Sequence, residues 1–507
     1  MAANTYFETS LRDHILYPTN LVFRGSHRKV LEAYKNRLDS ASPNLFKKEA
    51  TTDQLDVRFR DYNPSSKVFD ETPENSLDTL TKLRIYLGYI SVSNTSRLIH
   101  SNKNRLALKI SRSMANLLLT FHQVMPSYLD FISAFGLQLD QREVRYSGFH
   151  EQTTLAVPLA KRPAVPQLNR SGYGYQLCYN LKAVVDKKKT GMDDDRWSVR
   201  QAAIHHQFDV EQGTALWICT EGRKVGGLFD RIRDLTSDVT KKEDWSYGTK
   251  EESFRSSLAT HLTCCHWSIE EWRVYMGWLE ETVDKVTRAA VSGDRKHVQG
   301  VIRKDFEPKD LQDVQRLEDK INELTVILEA NHDIMQSLSG FYVNLMKNDD
   351  MDVNVKTQCA DDVREFAAQI ADMMYDVNMQ IRRANLLVKI TADRKALILQ
   401  HLQSQATEAT LELTKLSYRE ATIMRIITIV TLIFLPATFA STLFSTDIVK
   451  YQGQDANGTF SKEAMFRWLQ VTLPLSALTL GIGYAWYRHQ TKKADEKGVL
   501  PSFNRGA

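Results

Sequence analysis

Two long uncharged runs near the C-terminus constrain the fold more than any other feature of this sequence. Residues 426–446 (IITIVTLIFLPATFASTLFST) and 468–487 (WLQVTLPLSALTLGIGYAWY) contain no charged side chain. Each run matches the roughly 20 residues that a helix needs to cross a bilayer. Pro436 and Pro474 would be costly inside a soluble helix but are tolerated in a membrane helix. The runs therefore predict a membrane protein with two C-terminal transmembrane helices.

The charges that flank the two runs predict the topology. Basic residues precede the first run and follow the second: Lys415, Arg419, Arg425, Arg488, Lys492 and Lys493. Because basic flanks stay in the cytosol, both termini are expected there. Residues 447–467 then form an external loop, in which Asn457 begins an Asn-Gly-Thr sequon, and residues 488–507 form a cytosolic basic tail.

A single long helix is expected to lead into the first run. No proline occurs between Pro308 and Pro436, and no glycine between Gly340 and Gly453. A stalk helix over residues 361–425 that continues through the membrane would be roughly 130 Å long. Apolar residues at steps of four and three, interrupted by Glu420, form a seam: Leu402, Ala406, Ala409, Leu413, Leu416, Ile423, Ile427, Val430 and Phe434. The seam favours packing against copies of the same helix, with a monomeric bundle as the alternative.

A second stripe on the same predicted helix is rich in hydroxyl groups. Within roughly a third of the circumference lie Thr428, Thr431, Leu435, Thr438, Thr442 and Ser445. Small or polar residues continue the stripe into the stalk: Thr410, Thr414, Ser417, Ala421 and Met424. If several copies assembled around an axis, this stripe could line a water-filled path. Alternatively, the hydroxyls bond to their own helix or join neighbouring helices.

The region before the stalk is expected to be a cytosolic α/β domain over residues 166–350. Apolar residues alternate over 173–183, which predicts a half-buried strand, and 197–208 and 214–220 predict two more strands of a meander. A polar turn is expected at 187–195, and helices from about 251 to 290 and 309 to 346. Residues 1–165 are expected to form a helical or mixed extension, with a loop at 64–75 and a helix over 106–134 that breaks at Pro126.

Composition argues against several other classes of protein. The net charge of +4 over 507 residues gives no reason to expect a nucleic-acid partner. Neither a nucleophile–base arrangement nor a phosphate-binding glycine loop is evident, so no enzyme activity and no cofactor are expected. His205 and His206 are neighbours in a predicted strand, where their side chains point to opposite faces. The five cysteines lack paired spacings and are expected to be free thiols: Cys178, Cys219, Cys264, Cys265 and Cys359.

This arrangement resembles the CorA family of divalent-cation channels. The soluble α/β domain, the stalk helix and the two C-terminal spans, roughly residues 173–493, are similar to that family's architecture. The fungal CorA-like proteins are the most similar branch, since segments like WSVRQAAIHHQFDVEQGTALWI and FHQVMPSYLDFISAFG recur there. The most specific local match is Leu-Pro-Ala-Thr-Phe at 435–439.

The resemblance implies a homopentamer whose first span lines an ion pore and whose second span faces lipid, which favours the pore interpretation of the hydroxyl stripe. The family's Gly-Met-Asn motif at the outer mouth is absent, because Ser445, Thr446 and Asp447 occupy its place. A ring of Asp447 carboxylates could attract hydrated Mg²⁺, or could bind it too tightly for conduction. The sequence therefore leaves open whether this mouth passes ions.

The family resemblance also suggests cytosolic ion sensing by acidic residues. Asp349, Asp350 and Asp352 supply hard oxygen ligands between two predicted helices, although such loops are often acidic for capping alone. The leading function is divalent-cation transport, with Mg²⁺ as the first candidate. Proton-coupled Zn²⁺ transport and a non-conducting, membrane-anchored scaffold are the alternatives. The plasma membrane is the default location, because no targeting signal is evident.

Overall fold

The structure, a computed structural model, consists of two compact units, Met1–Leu399 and Gln400–Ala507. The residues that it describes are 2–23, 25–48, 55, 57–63, 66, 68–73, 77–89, 97–102, 107–136, 146–186, 196–221, 227–237, 245–292, 306–445 and 462–496. The predicted polar turn at 187–195 and most of the predicted external loop lie outside these residues.

Helices and strands are interspersed up to residue 221, and every described element after it is a helix. The helices are α1 Ala2–Arg12, α2 Arg28–Leu45, α3 Leu80–Tyr89, α4 Arg112–Phe121, α5 Tyr128–Ile132, α6 Leu228–Ser237, α7 Lys250–Ile269, α8 Trp272–Ser292, α9 Pro308–Lys347, α10 Val353–Ser445 and α11 Lys462–Glu496. The strands are β1 Phe46–Lys47, β2 Val57–Asn63, β3 Val68–Glu71, β4 Arg97–Asn102, β5 Leu108–Ser111, β6 Phe149–Thr153, β7 Gly174–Asp186, β8 Trp197–Asp209 and β9 Thr214–Glu221.

A seven-stranded mixed sheet organises the first unit, in the order β3-β2-β4-β9-β8-β7-β6. The predicted meander is confirmed, because β7, β8 and β9 pair antiparallel with one another in sequence order. The β4–β9 pair is parallel and connects the meander to β2 and β3. Strands from both sides of residue 165 therefore share one sheet, and the expected boundary at 165 does not divide the domain.

Both faces of the sheet are buried. On β7, alternate residues such as Leu177 and Tyr179 pack in a cluster with α7, α8, α9 and α10. Cys178, between them, faces a second cluster that includes residues of α1 to α5. Alternation alone predicted a half-buried strand, and that expectation was wrong because helices from the first 135 residues cover the second face. The result is a three-layer α/β/α domain.

The edge of β7 is closed by a side chain rather than by another strand. Strand β6 pairs with β7 only from Tyr175 to Tyr179. Beyond it, the Asn331 side chain of α9 accepts a hydrogen bond from the Lys182 amide (3.1 Å) and donates one to the Lys182 carbonyl (2.7 Å). Asn331 thus replaces the missing strand partner at a site where both residues are fully buried.

Three local expectations differ from the structure. The segment 106–134 begins with strand β5 and contains two helices, because Ser111 caps α4 through a bond from the Met114 amide. The predicted loop at 64–75 contains β3. The helical region at 251–290 is divided between α7 and α8 at Glu271, whose φ of 62° is left-handed. No glycine or proline marks that break, so it has no signal in the sequence.

Helix α10 begins at Val353, eight residues before the expected start, and its first part packs on the sheet domain. Its apolar seam there is buried and includes Val363, Phe366 and Ile370. Ion pairs connect the same stretch to α7, α8 and α9: Lys250–Asp352, Arg255–Asp362, Glu280–Arg383, Asp284–Arg394 and Glu318–Lys395. The partners on the α10 side are acidic near its start and basic farther along, and this complementary pattern favours one position of the helix along the domain.

Candidate ion pathway

The predicted hydroxyl stripe lies on α10 within the second unit. We call Thr428, Thr431, Leu435, Thr438 and Thr442 the threonine face; all five are exposed. Each threonine hydroxyl donates to the carbonyl four residues earlier, as Thr431 does to Ile427 (2.7 Å) and Thr428 to Met424 (2.7 Å). The hydroxyl proton is therefore used within the helix, and the oxygen lone pairs remain to accept bonds from water or to face a cation.

Helix α11 packs on a different side of α10. Pro436 and Ala440 are buried, and Ala440 has no exposed surface. Trp468 Nε1 donates to Ser441 Oγ (3.0 Å), close to the start of α11. Farther along, Gly483 lies against Leu432, since a Cβ on the glycine would be 3.6 Å from Leu432 Cδ1. Small residues thus let the two helices approach, as is typical of helix pairs in membranes.

The covered side and the threonine face point in nearly opposite directions. At about 100° per residue, Pro436 and Ala440 lie roughly 120° and 160° from the centre of the threonine face. Leu435 remains 63% exposed in the middle of that face. Helix α11 therefore leaves the threonine face uncovered within this unit.

Among the described residues, one helix, α10, is long and apolar enough to cross a bilayer. The second predicted span corresponds to part of α11 and stays a prediction. Of the three residues that replace the Gly-Met-Asn motif, Ser445 is the last residue of α10, while Thr446 and Asp447 lie outside the described residues, as does Asn457.

The predicted sensing residues lie in the turn between α9 and α10. Asp352 accepts a hydrogen bond from the Val355 amide (3.0 Å) and pairs with Lys250 (2.8 Å), and these contacts hold the pKa of its carboxyl below the usual value despite partial burial. Asp349 and Asp350 are exposed. Across the described ranges, no group of three or more His, Cys, Asp or Glu residues is arranged to hold a metal ion. Asp352 thus acts as a helix cap, and ion sensing by the three residues stays a prediction.

The histidines of β8 point to opposite faces, as expected. His205 Nε2 lies 3.0 Å from Gln176 Oε1 on one face. On the other face, His206 stacks on Trp217 and its Nδ1 lies 3.1 Å from Nε2 of His261, whose Nδ1 is 2.6 Å from the Tyr179 hydroxyl. Burial lowers the pKa of His205 and of His261 to about 3, and lowers that of His206 as well, so these rings are neutral.

All five cysteines are free and buried, which confirms the expectation of unpaired thiols. Burial raises the pKa of Cys264 to about 12, so this thiol is a packing group rather than a nucleophile.

A cavity of about 60 Å³ lies in the first unit, where β7 and β8 meet the segment after α4. Gln123, Gln176, Arg170 and Asp209 contribute to its lining. The charged groups are already engaged, because Arg170 donates to the His122 carbonyl (2.5 Å) and Asp209 accepts from the Ser171 amide (2.7 Å). The space suits a small number of water molecules.

Two buried polar residues of the domain were missed in the sequence. Lys182 is fully buried on β7, where its Nζ donates to the Tyr146 carbonyl (2.8 Å) and to Ser147 Oγ, and burial lowers its pKa to about 7. Asn331, which closes the strand edge beside it, lies on a helix face that otherwise reads as apolar. Neither residue belongs to a motif, so only the packed structure reveals its role.

Comparison with known proteins gives a family for this fold. Residues 9–291 match the family model described as CorA-like transporters. The match lies in the α/β domain and reaches back to residue 9, whereas the architecture that resembles the family in the sequence covers residues 173–493. No curated protein matches the chain.

Two solved structures show distant likeness. The full-length CmaX protein is 11% identical, with 85% of this chain and 98% of that chain covered and a TM-score of 0.35. The cytoplasmic domain of ZntB from Vibrio parahaemolyticus is 10% identical, with 70% of this chain and all of that chain covered and a TM-score of 0.33.

By length and composition, an α/β domain followed by a 93-residue helix that is apolar enough to span a bilayer fits the class of membrane proteins. The family match makes the identification specific. The chain belongs to the CorA-like transporters, whose members are oligomeric membrane transporters or channels and not enzymes.

Proposed function

We propose that this protein conducts divalent cations, with Mg²⁺ as the first candidate, through a pathway lined by the threonine face of α10. In this proposal five copies surround the axis, α11 is a second span that faces lipid, and both termini lie in the cytosol. The plasma membrane remains the default location.

The position of α11 carries the proposal. A transmembrane hydroxyl stripe could equally bind a neighbouring helix of the same chain. Here the described neighbour, α11, occupies the opposite side of α10 and buries Ala440 instead. The threonine face is therefore available to a shared axis. Its oxygen lone pairs suit a cation with its water shell, because Mg²⁺ prefers oxygen ligands and keeps several of its waters.

The predicted outer mouth of the pathway is where the sequence departs from the family's motif. Ser445, Thr446 and Asp447 stand where the family resemblance places Gly-Met-Asn. The Asp447 carboxylates would supply an entrance, since hydrated divalent cations are attracted by carboxylate rings. The same replacement favours a second candidate function, a non-conducting scaffold that keeps the architecture without the family's mouth.

The test is divalent-ion uptake into proteoliposomes that contain the full-length protein and an internal fluorescent indicator. Mg²⁺ and Zn²⁺ are each offered with and without a pH gradient, so that proton-coupled Zn²⁺ transport is distinguished. Asp447→Ala tests the mouth, and Thr431→Val tests the threonine face by removing a hydroxyl at nearly constant volume.

Thr422→Val is the matched control for the pathway. Thr422 also donates to a carbonyl one turn earlier, that of Tyr418 (2.8 Å), but lies nine residues from Thr431 and so on the opposite side of α10. We expect Mg²⁺ uptake that changes with Thr431→Val and not with Thr422→Val. An intact oligomer with no uptake of either ion would refute conduction and leave the scaffold.

A further inference from the structure

Lys182 of β7 is a fully buried lysine whose hydrogen-bond partners are neutral. Its Nζ donates to the Tyr146 carbonyl (2.8 Å) and to Ser147 Oγ, and across the described ranges no carboxylate forms an ion pair with it. A neutral amine has two N–H groups, whereas an ammonium has three. The two acceptors therefore match the neutral amine, and protonation would add an N–H group for which neither of them remains.

A spare acceptor lies directly opposite, on β8. Gln201 is the register partner of Lys182. Because the backbone amide and carbonyl of Lys182 both bond to Asn331, the two residues form a non-hydrogen-bonded pair of the ladder, in which side chains on the same face are closest. Gln201 is 4% exposed and its Nε2 donates to the Ala134 carbonyl (2.7 Å), while its buried Oε1 has no partner among the described residues.

The titratable groups on the elements packed around Lys182 leave its proton free to exchange. They are Glu323 of α9, Tyr146, Cys178 of β7, Asp186 of β7 paired with Arg196, and Asp130 of α5 paired with Arg37. Burial lowers the pKa of Lys182 to about 7, although Glu323 favours the ammonium. Burial also raises the pKa of Tyr146 to about 12 and that of Cys178, so both of these groups keep their protons.

We infer that Lys182 and Gln201 form a proton-sensitive latch inside the α/β domain. As a neutral amine, Lys182 holds Tyr146 and Ser147, which lie just before β6. When it takes up a proton, its third N–H group is donated to Gln201 Oε1. The same amide already holds Ala134, just after α5, so the protonated latch ties the start of β6 to the end of α5. This inference goes beyond the proposed function and does not depend on conduction.

The test is urea unfolding of the detergent-solubilised full-length protein from pH 6 to 9.5, followed by tryptophan fluorescence. The unfolded lysine has a pKa of about 10.4, above the folded value of about 7, so the unfolded chain binds more protons between them and stability rises with pH. Relative to Lys182→Met, we expect the unfolding equilibrium constant of the unchanged protein to fall about tenfold per pH unit above pH 7. Lys161→Met, which removes an exposed lysine, should behave like the unchanged protein.

Gln201→Glu separates the latch from a lysine that is merely buried. A carboxylate at this position would pair with the ammonium and raise the pKa of Lys182, so the rise in stability should begin at least about one pH unit higher. The same starting pH in both proteins, or a Gln201→Glu variant that does not fold because its carboxylate finds no partner, would overturn the latch. Equal pH dependence of Lys182→Met and the unchanged protein would overturn it as well. If Lys182→Met does not fold, the comparison of Gln201→Glu with the unchanged protein decides.

Discussion

The Asn331 contact at the edge of β7 allows a quantitative test of the fold that supports the pathway. Replacing Asn331 with leucine keeps a similar volume but removes the donor to the Lys182 carbonyl and the acceptor for the Lys182 amide. Each buried backbone group left without a partner costs about 1–3 kcal/mol. Burying the apolar leucine side chain returns about 1.5–3 kcal/mol. We therefore expect Asn331→Leu to lower the free energy of unfolding of the α/β domain by about 1–3 kcal/mol.

The assay is urea unfolding of the detergent-solubilised full-length protein, followed by tryptophan fluorescence, because Trp197 and Trp217 are buried in the domain. Gln336→Leu is the matched control, since Gln336 is an exposed amide on the same helix. It should change stability by less than about 0.5 kcal/mol. Equal stability of the two variants would show that the strand edge is satisfied without Asn331, and would refute the reasoning.

Two further predictions concern buried and bridging charges. The folded pKa of His261, about 3, lies below the unfolded value of about 6.5, so the unfolded chain binds more protons between these pH values and stability falls as the pH falls. His261→Phe should lower stability at pH 7 by breaking the contact with Tyr179, yet make the loss between pH 6 and 4 shallower by about 1.4 kcal/mol per pH unit; an unchanged slope in urea unfolding would contradict this. Arg383 binds Glu280 through two bonds of 2.6 Å, both side chains being about one-third exposed. Arg383→Glu should destabilise the domain, and adding Glu280→Arg should restore about 1 kcal/mol, measured as the coupling in a double-mutant cycle; additive effects would argue against the pair.

The sequence predicted those parts of the fold that depend on local periodicity. Alternation located β7 within a few residues, and the absence of proline and glycine predicted the long helix α10. Alternation could not show that both faces of β7 are buried, because the helices that cover the second face come from a distant part of the chain. The left-handed Glu271 that separates α7 from α8 was equally invisible, since a glutamate carries no turn signal. Local pattern specifies elements, while long-range packing decides their partners.

The same division applies to the candidate pathway. Spacing alone locates the threonine face but leaves two uses of its hydroxyls open. The back-bonds to Ile427 and its equivalents now show that the hydroxyl protons are used within α10. The contact between Trp468 and Ser441 shows on which side α11 packs. Neither fact has a sequence signature, because every transmembrane threonine can make such a bond and apolar helices can pair through several faces.

The distribution of charge along the proposed pathway bears on whether the altered mouth can still work. The threonine face offers only neutral oxygens, which attract a doubly charged ion weakly compared with carboxylates. Conduction requires attraction at the ends and easy release between them. Asp447 at the outer end would provide the attraction, and the threonine face carries no charged residue that would retain the ion. With the Gly-Met-Asn motif lost, the Asp447 carboxylates would then select cations by charge. Uptake that survives Asp447→Ala would place charge selection elsewhere along the pathway.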